Sequence, residues 1–318
     1  MNLLRRRPDL LPSVGIAVGA MLWGLFWLPV RAIEQAGVSA MWTGPVIFAS
    51  VTLIFLPFAL WRWRNFAKGG ASLVSACALA ALAFVLYAIS FNLIEVVRAL
   101  LLFYLTPLWS TLLGIILLRE RLSVNRVLGL VLAFGGLMIV LGAGVEFPWP
   151  REIGDWFALA GGLCWSFACV RLFQGGAALI FEKTFMFVLC GLGASVVLAL
   201  LPFGLDNAIP QMSSVVEGWP WLVAVSALML PATFLTIWPP LVLSPGRAGI
   251  LFSFEIVIGV GSAALLTDEP FGPREIIGTI LIISAGTIEV SRQQKVTQGS
   301  EICCGDIGHP VCLTDEPN

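Results

Sequence analysis

Apolar runs of about 20 residues recur along the chain, separated by short polar gaps, a length that suits the roughly 30 Å hydrocarbon layer of a bilayer. Ten such runs stand out, at about 12–33, 42–61, 72–92, 98–118, 126–144, 154–172, 184–203, 221–241, 248–266 and 275–291. None shows the period-two alternation of a barrel strand. In lipid only helices and closed barrels satisfy every backbone donor and acceptor, so the pattern predicts ten membrane-spanning α-helices. Composition agrees: hydrophobic residues make up 58% of the 318 and charged residues 12%, far below the roughly 25% charged content of a soluble domain. Mean hydropathy is +0.95.

Charge matters through its placement. The formal net charge of −1 gives no basic surface for nucleic acid. With a cytoplasmic amino terminus, fourteen of the eighteen Lys and Arg fall on the inside, from Arg5, Arg6 and Arg7 through Arg62, Arg119 and Arg247 to Lys295. Arg31, Arg98, Arg151 and Arg274 remain outside. One missed span would scramble this bias, so it supports an even number of helices with both termini cytoplasmic. The first apolar run lacks a clear small-residue cleavage site and reads as an uncleaved span. Trp42, Trp61, Trp63, Trp149, Trp156, Trp219 and Trp221 lie near predicted span ends, where amphipathic rings settle at the headgroup level.

Shifting the chain by 149 residues without gaps superposes spans four and five on spans nine and ten. Arg98-Ala99 meets Arg247-Ala248, Leu102-Phe103 meets Leu251-Phe252, Glu120 meets Glu269, and Gly129 meets Gly278. Matches of Arg, Glu and Gly carry more weight than Leu and Phe matches in apolar helices. Arg98 and Glu120 are about 33 Å apart along a helix at 1.5 Å per residue, so each Arg–Glu pair brackets one span. A five-helix repeat crosses an odd number of times, so its second copy enters from the opposite face. The expected architecture is two inverted halves, 14–144 and 153–292, followed by a disordered cytoplasmic tail, 293–318. Inverted repeats suit secondary transport, because exchanging the halves' conformations turns inward into outward access.

The segment RALLLFYLTPLWSTLLGIILLRERLS (98–123), then NRVLGLVLAFGGLMIV (125–140), resembles the end of an EamA-like domain of the drug/metabolite transporter superfamily. AMLWGLFWLPVRA (20–32) is similar to the family's first helix and GDWFALAGGLCWSFACV (154–170) to the start of its second half. Ile256 stands where a second copy of Pro107 would fall, a departure from the pattern. The resemblance implies a ten-helix basket, a cavity between the halves, and export or uptake of small organic molecules such as amino acids and related metabolites. The bacterial inner membrane is the implied location.

Glu255 is the candidate centre. It lies about 12 Å into the ninth span, with Thr106 as its repeat partner, and a carboxyl at that depth costs about 3 kcal/mol unless it faces the bundle interior. It reads as a carboxylate for a proton or a substrate amine, or as a structural Glu held between helices. Pro107 removes a helix hydrogen bond and frees a carbonyl on the preceding turn. With Tyr104, Thr106 and Ser110 it lines a substrate path, or else forms a packing kink. Trp23 and Trp165 open the two halves in matching positions and offer aromatic walls or plain packing. Asn92 and Tyr87 are polar enough to face a cavity. Glu120, Glu269, Arg98 and Arg247 match the family's helix ends and read mainly as boundary contacts, with Arg98–Glu95 as a candidate external gate pair. Arg31 reads as an interfacial anchor or a guide for anions.

No cofactor or metal is expected. Cys303, Cys304, His309 and Cys312 follow no common zinc spacing, and Cys77, Cys164, Cys169 and Cys190 read as small packing residues. His309 is the only histidine and the spans are read as holding no Asp, so an intramembrane protease has no expected candidate residues within them. An enzyme is therefore not expected, and a channel-like pore is the other alternative to a carrier. The expected partners are a small-molecule substrate, the bilayer, and a coupling proton or counter-substrate.

Overall fold

The computed structural model describes residues 10–106, 109, 124–140, 150–174, 180–206, 208–237, 251, 254–269, 271–285 and 288. Helices here are α1 (Leu10–Gly24), α2 (Trp27–Gln35), α3 (Ala40–Trp61), α4 (Trp63–Leu93), α5 (Val96–Phe103), α6 (Val124–Val140), α7 (Ile153–Gln174), α8 (Ile180–Leu200), α9 (Met212–Glu217), α10 (Trp219–Ile237), α11 (Phe254–Leu266) and α12 (273–285). Helix falls within each of the ten predicted spans. Among the described residues, five segments are long and apolar enough to cross a membrane: Leu11–Gln35, Ala40–Trp61, Leu73–Leu93, Phe181–Leu200 and Trp219–Thr236. Val127–Gly136 and Phe254–Leu266 are shorter apolar helices.

Side chains are distributed as hydrocarbon solvent demands. Leu53, Val124 and Leu265 on the outside are 69%, 83% and 85% exposed, whereas Thr43, Ser90, Asp155, Ser166, Glu182, Ser195 and Ser226 are buried. Apolar atoms outside and hydrogen-bonding atoms inside are stable in lipid and costly in water. Several helices of this length and apolarity describe a multi-pass membrane protein. Helix α5 is buried on nearly every side, the mark of a helix at the bundle centre.

Local departures from regular helix have local causes. Pro29 has no N–H to offer the Leu25 carbonyl, which instead accepts from the Leu28 N–H at 3.1 Å, and the chain breaks between α1 and α2. After α5 the backbone loosens at Tyr104–Leu105, and the Phe103 carbonyl, four residues before Pro107, accepts the Thr106 hydroxyl at 3.0 Å. Pro107 itself, with Ser110, Glu120, Arg247 and the tail from 289, lies outside the described residues.

Helix packing is pairwise and close. α4 runs along α7, and α1 along α10. α8 touches α4 and α3, while α3 touches α10. α5 packs on α7, α11 on α1, and α5 and α11 meet each other. Small residues make the approaches possible. A Cβ on Gly162 would stand 2.5 Å from the Phe103 carbonyl oxygen, and one on Gly24 would stand 2.7 Å from the Glu255 carbonyl oxygen. α6 meets α12 the same way, with Gly136 against Ile282 and the Gly278 carbonyl. Ser50 and Ser226 share a hydrogen bond of 2.9 Å between α3 and α10.

Substituting Gly162→Ala forces α5 and α7 apart and should lower unfolding stability in detergent by about 1–3 kcal/mol. Gly193→Ala, with open space around it, should leave stability unchanged or slightly raised. Equal unfolding midpoints for the two variants would contradict the close approach.

Candidate functional site

Helix ends bring charged residues from distant parts of the sequence to one end of the bundle. Arg31, near the end of α2, donates from Nε to the Phe91 carbonyl at 2.7 Å and from Nη2 to the Ile94 carbonyl at 2.9 Å. Its Nη2 also lies 2.8 Å from Glu269 Oε1. The other Glu269 oxygen accepts the Val96 N–H at 2.8 Å, the first turn of α5, where a carboxylate complements orphan donors and the helix dipole. One ion pair thus ties together α2, the α4–α5 junction and the segment after α11. We call it the clasp. Glu269 therefore makes helix-end contacts, as its position suggested, and Arg31 is neither a plain interfacial anchor nor free to guide anions.

Beside the clasp, Arg98 forms a two-point bond to Asp155, Nε to Oδ1 at 2.7 Å and Nη2 to Oδ2 at 2.8 Å. The external Arg98–Glu95 pair expected from sequence gives way to this one. Glu95 is exposed at the head of α5, whereas Asp155 is fully buried in the first turn of α7 and also accepts the Arg151 N–H at 3.0 Å. Asp155 lies within the predicted span 154–172, which corrects the expectation that no Asp lies inside a span. The opposite end holds a third pair, Arg62 Nη2 to Glu182 Oε1 at 2.6 Å, with Glu182 fully buried at the start of α8.

Glu255 stands apart from these pairs. It lies in the first turn of α11, roughly 16 Å of helix from Leu266 at 1.5 Å per residue, with its backbone against Gly24. Tyr104, at the end of α5, lies near its carboxyl. Tyr87, on α4, is also close enough to feel its charge, and the Tyr87 hydroxyl is buried with no hydrogen-bond partner. The rings of Tyr87 and Phe103 stack at 4.0 Å, and Phe103 meets Tyr104 at 5.7 Å. Thr106 joins this crossing through its carbonyl, which accepts the Ser166 hydroxyl of α7 at 3.3 Å. Ser166 follows Trp165 as Gly24 follows Trp23.

The structure therefore brings Glu255, Tyr104 and Thr106 to the α5–α11 crossing, with Trp23 and Trp165 on the helices that flank it. The Trp23 ring is fixed by its Nε1–H bond to Thr236 Oγ1 at 2.9 Å and by Phe84 at 5.0 Å. Trp27, whose Nε1–H bonds Ser262 at 3.0 Å, is a second tryptophan linking α2 to α11 that sequence reasoning passed over. Asn92 does not join the crossing. It sits in the last turn of α4 at the clasp end, where its amide reaches Thr43 Oγ1 at 3.4 Å. Cys77, Cys164 and Cys190 are free thiols. No group of three or more metal-ligating side chains is present among the described residues.

A family model described as the EamA-like transporter family matches residues 11–142, which span α1 through α6. The chain is similar to a Bacillus subtilis (strain 168) protein described as an uncharacterized transporter, YojE, at 30% identity over 132 residues. That match covers 39% of this chain and 44% of the relative, so the chain spans less than half of the relative's length. A solved crystal structure overlaps 89% of this chain and 98% of its own at 17% identity and a TM-score of 0.49, too low to bear on function.

Two outcomes follow from the charges. Asp155→Ala strands Arg98 in the bundle and should cost about 3–5 kcal/mol of stability, whereas an Arg98→Met, Asp155→Leu double variant should cost less than the two single changes summed. A double-mutant cycle by chemical unfolding in detergent checks this, and additive losses would contradict a direct pair. At the clasp, burial pushes the Glu269 carboxyl above the usual range and Glu95 adds to the rise, while Arg31 and the Val96 and Val97 N–H groups oppose it. The closed clasp thus holds a proton more tightly than solvated Glu269 would. Closure should strengthen as pH falls from the raised value toward the ordinary value of about 4.3, and lose that contribution as pH rises back through the window. Spin labels at Gln35 and Phe271 should report shorter distances on acidification, and Glu269→Gln should remove the dependence.

Proposed function

We propose, from the EamA-like transporter match over residues 11–142, that the chain is a secondary carrier of small organic metabolites, such as amino acids or related compounds. It works by alternating access between two inverted five-helix halves, 14–144 and 153–292, that together cross the membrane ten times. One observation carries the reading. The helix contacts map onto one another when the halves are exchanged. α4 on α7 becomes α10 on α1, α8 on α4 becomes α3 on α10, and α5 on α7 becomes α11 on α1, while α3–α8, α5–α11 and α6–α12 map onto themselves. Single contacts follow suit. Gly24 against the Glu255 backbone corresponds to Ser166 against the Thr106 backbone, and Glu255 and Thr106 are the repeat-related pair.

A bundle built this way has two arrangements of similar energy, related by swapping the conformations of its halves. The clasp favours closure at one end, which is the periplasmic end of a bacterial inner membrane if both termini are cytoplasmic. Clasp opening then requires Arg31 and Glu269 to separate and be hydrated, a cost offset by re-formed contacts at the other end. Between the ends, Glu255 is the group that binds a proton or substrate, with Tyr104 and Thr106 beside it. The matched family model is described as one of transporters, which favours a carrier over an enzyme.

In proteoliposomes the protein should show saturable uptake accelerated by the same solute on the far side, and Glu255→Gln should reduce that exchange at least tenfold with the protein still folded. A metabolite panel screened in this way identifies the substrate. Flux rising linearly with concentration, with no exchange, would indicate a pore and overturn the carrier reading. Undiminished exchange in Glu255→Gln would remove Glu255 from the mechanism.

A further inference from the structure

We infer that a cavity beside the clasp binds the headgroup of a zwitterionic phospholipid, its phosphate on Arg31 and its primary ammonium on Asp268. The inference holds whatever solute the carrier moves, because it concerns a different place in the bundle. A cavity of about 390 Å³ opens between the end of α2, the start of α10 and the end of α11. That volume falls in the range of small-ligand sites, roughly 300–1,000 Å³. All three walls are ends of apolar helices. Gln35 closes the segment Leu11–Gln35, Trp219 opens Trp219–Thr236, and Leu266 closes Phe254–Leu266. The cavity therefore sits where hydrocarbon gives way to headgroups, and phospholipids are the molecules that border it.

The lining changes polarity in the order that a phospholipid does. Trp27, Arg31 and Gln35 are spaced by four residues on α2, so they share a face and follow one another at intervals of about 6 Å toward the helix end. Across the cavity, Leu266 is followed by Thr267 and Asp268, the same passage from apolar to charged. Trp221 and Leu266, 43% and 62% exposed, form an apolar rim for acyl chains. The Trp27 ring is held by its Nε1–H bond to Ser262 at 3.0 Å, so the deep wall is preformed. Arg31 is held as well: its Nε and Nη2 face the Phe91 and Ile94 carbonyls and Glu269, and its Nη1 carries two further N–H donors. A guanidinium matches the oxygens of a phosphate in charge and geometry. Arg31 and Glu269 offset each other, and exposed Asp268 adds a negative charge that the ammonium of the same headgroup balances. Gln35 and Thr267 supply oxygen acceptors for the remaining ammonium N–H groups. A free zwitterion would leave the apolar wall and rim uncovered. An anionic headgroup would satisfy Arg31 but meet Asp268 with like charge.

The test uses the full chain purified in detergent and titrated with dioctanoyl phosphatidylethanolamine. Dioctanoyl phosphatidylcholine and dioctanoyl phosphatidylglycerol are the lipid comparisons, and glycerophosphoethanolamine is the headgroup without chains. Native mass spectrometry counts bound lipid, and tryptophan fluorescence reads affinity. The ethanolamine lipid should bind saturably at one copy per chain, at least fivefold tighter than either other lipid and at least tenfold tighter than the chain-free headgroup. Asp268→Asn, at an exposed position that leaves the Arg31–Glu269 pair in place, should erase the preference over the glycerol lipid. Arg31→Gln should weaken all three lipids severalfold, and where that variant fails to fold Asp268→Asn alone decides. Trp221→Phe should reduce the fluorescence response without changing the number of bound lipids. Equal affinity for the three lipids, or a preference unchanged in Asp268→Asn, would overturn the inference. Chain-free headgroup binding as tightly as the lipid would overturn it by marking a site for soluble zwitterions, and adducts that never saturate would overturn it by marking adventitious lipid only.

Discussion

Ionised groups inside hydrocarbon must find an opposite charge, and that requirement organises this protein. Three carboxylates meet it with arginines drawn from distant parts of the chain: Arg31 with Glu269, Arg62 with Glu182, Arg98 with Asp155. Each pair lies near a helix end, where long side chains reach across and the local dielectric is higher than at the midplane. Each therefore acts as a fastener between helices that hydrophobic attraction alone would not select, since lipid tails compete equally for apolar surfaces. Glu255, deeper and apart from these pairs, is where the same requirement becomes chemistry instead of architecture.

Close approach of backbones is the second constraint. Gly24 and Gly162 leave no room for a Cβ against a facing carbonyl oxygen, and Gly136 none against the Ile282 side chain, so the backbones approach closely at these crossings. Contacts of this kind slide and rock with few side chains to unlock. A carrier needs a bundle that is held firmly at its ends and can shear at its crossings, and the distribution of ion pairs and glycines supplies both.

Much of the fold was legible in the chain because a single physical signal, uninterrupted apolar length, dominates in lipid. Each predicted span contains helix, and both ends of Ala40–Trp61 and the starts of Ile153–Gln174 and Trp219–Ile237 lie within a few residues of the runs that announced them. The α1–α2 break was less visible, since Pro29 sits in an otherwise unbroken apolar run, and the short α9 lies in a polar connection with no periodicity strong enough to mark it. At the candidate site, the repeat paired Glu255 with Thr106, and both lie where α5 and α11 meet. Partner choice was not legible. Arg98 is near Glu95 in sequence but binds Asp155, and Arg31 binds Glu269, because which helix ends adjoin is a tertiary fact that hydropathy does not encode. Asn92 illustrates the same limit: polarity within a span marked it as interesting, but its place in the last turn of α4 puts it with the clasp.

The central claim is that the clasped end opens and closes during the working cycle. In a background without other cysteines, Arg31→Cys and Glu269→Cys can be bridged by a short thiol cross-linker that a reductant cleaves. Exchange flux in proteoliposomes, measured before cross-linking, after it, and after cleavage, is the direct test. The account predicts that bridging stops exchange and cleavage restores it. Full exchange through the bridged protein would contradict it.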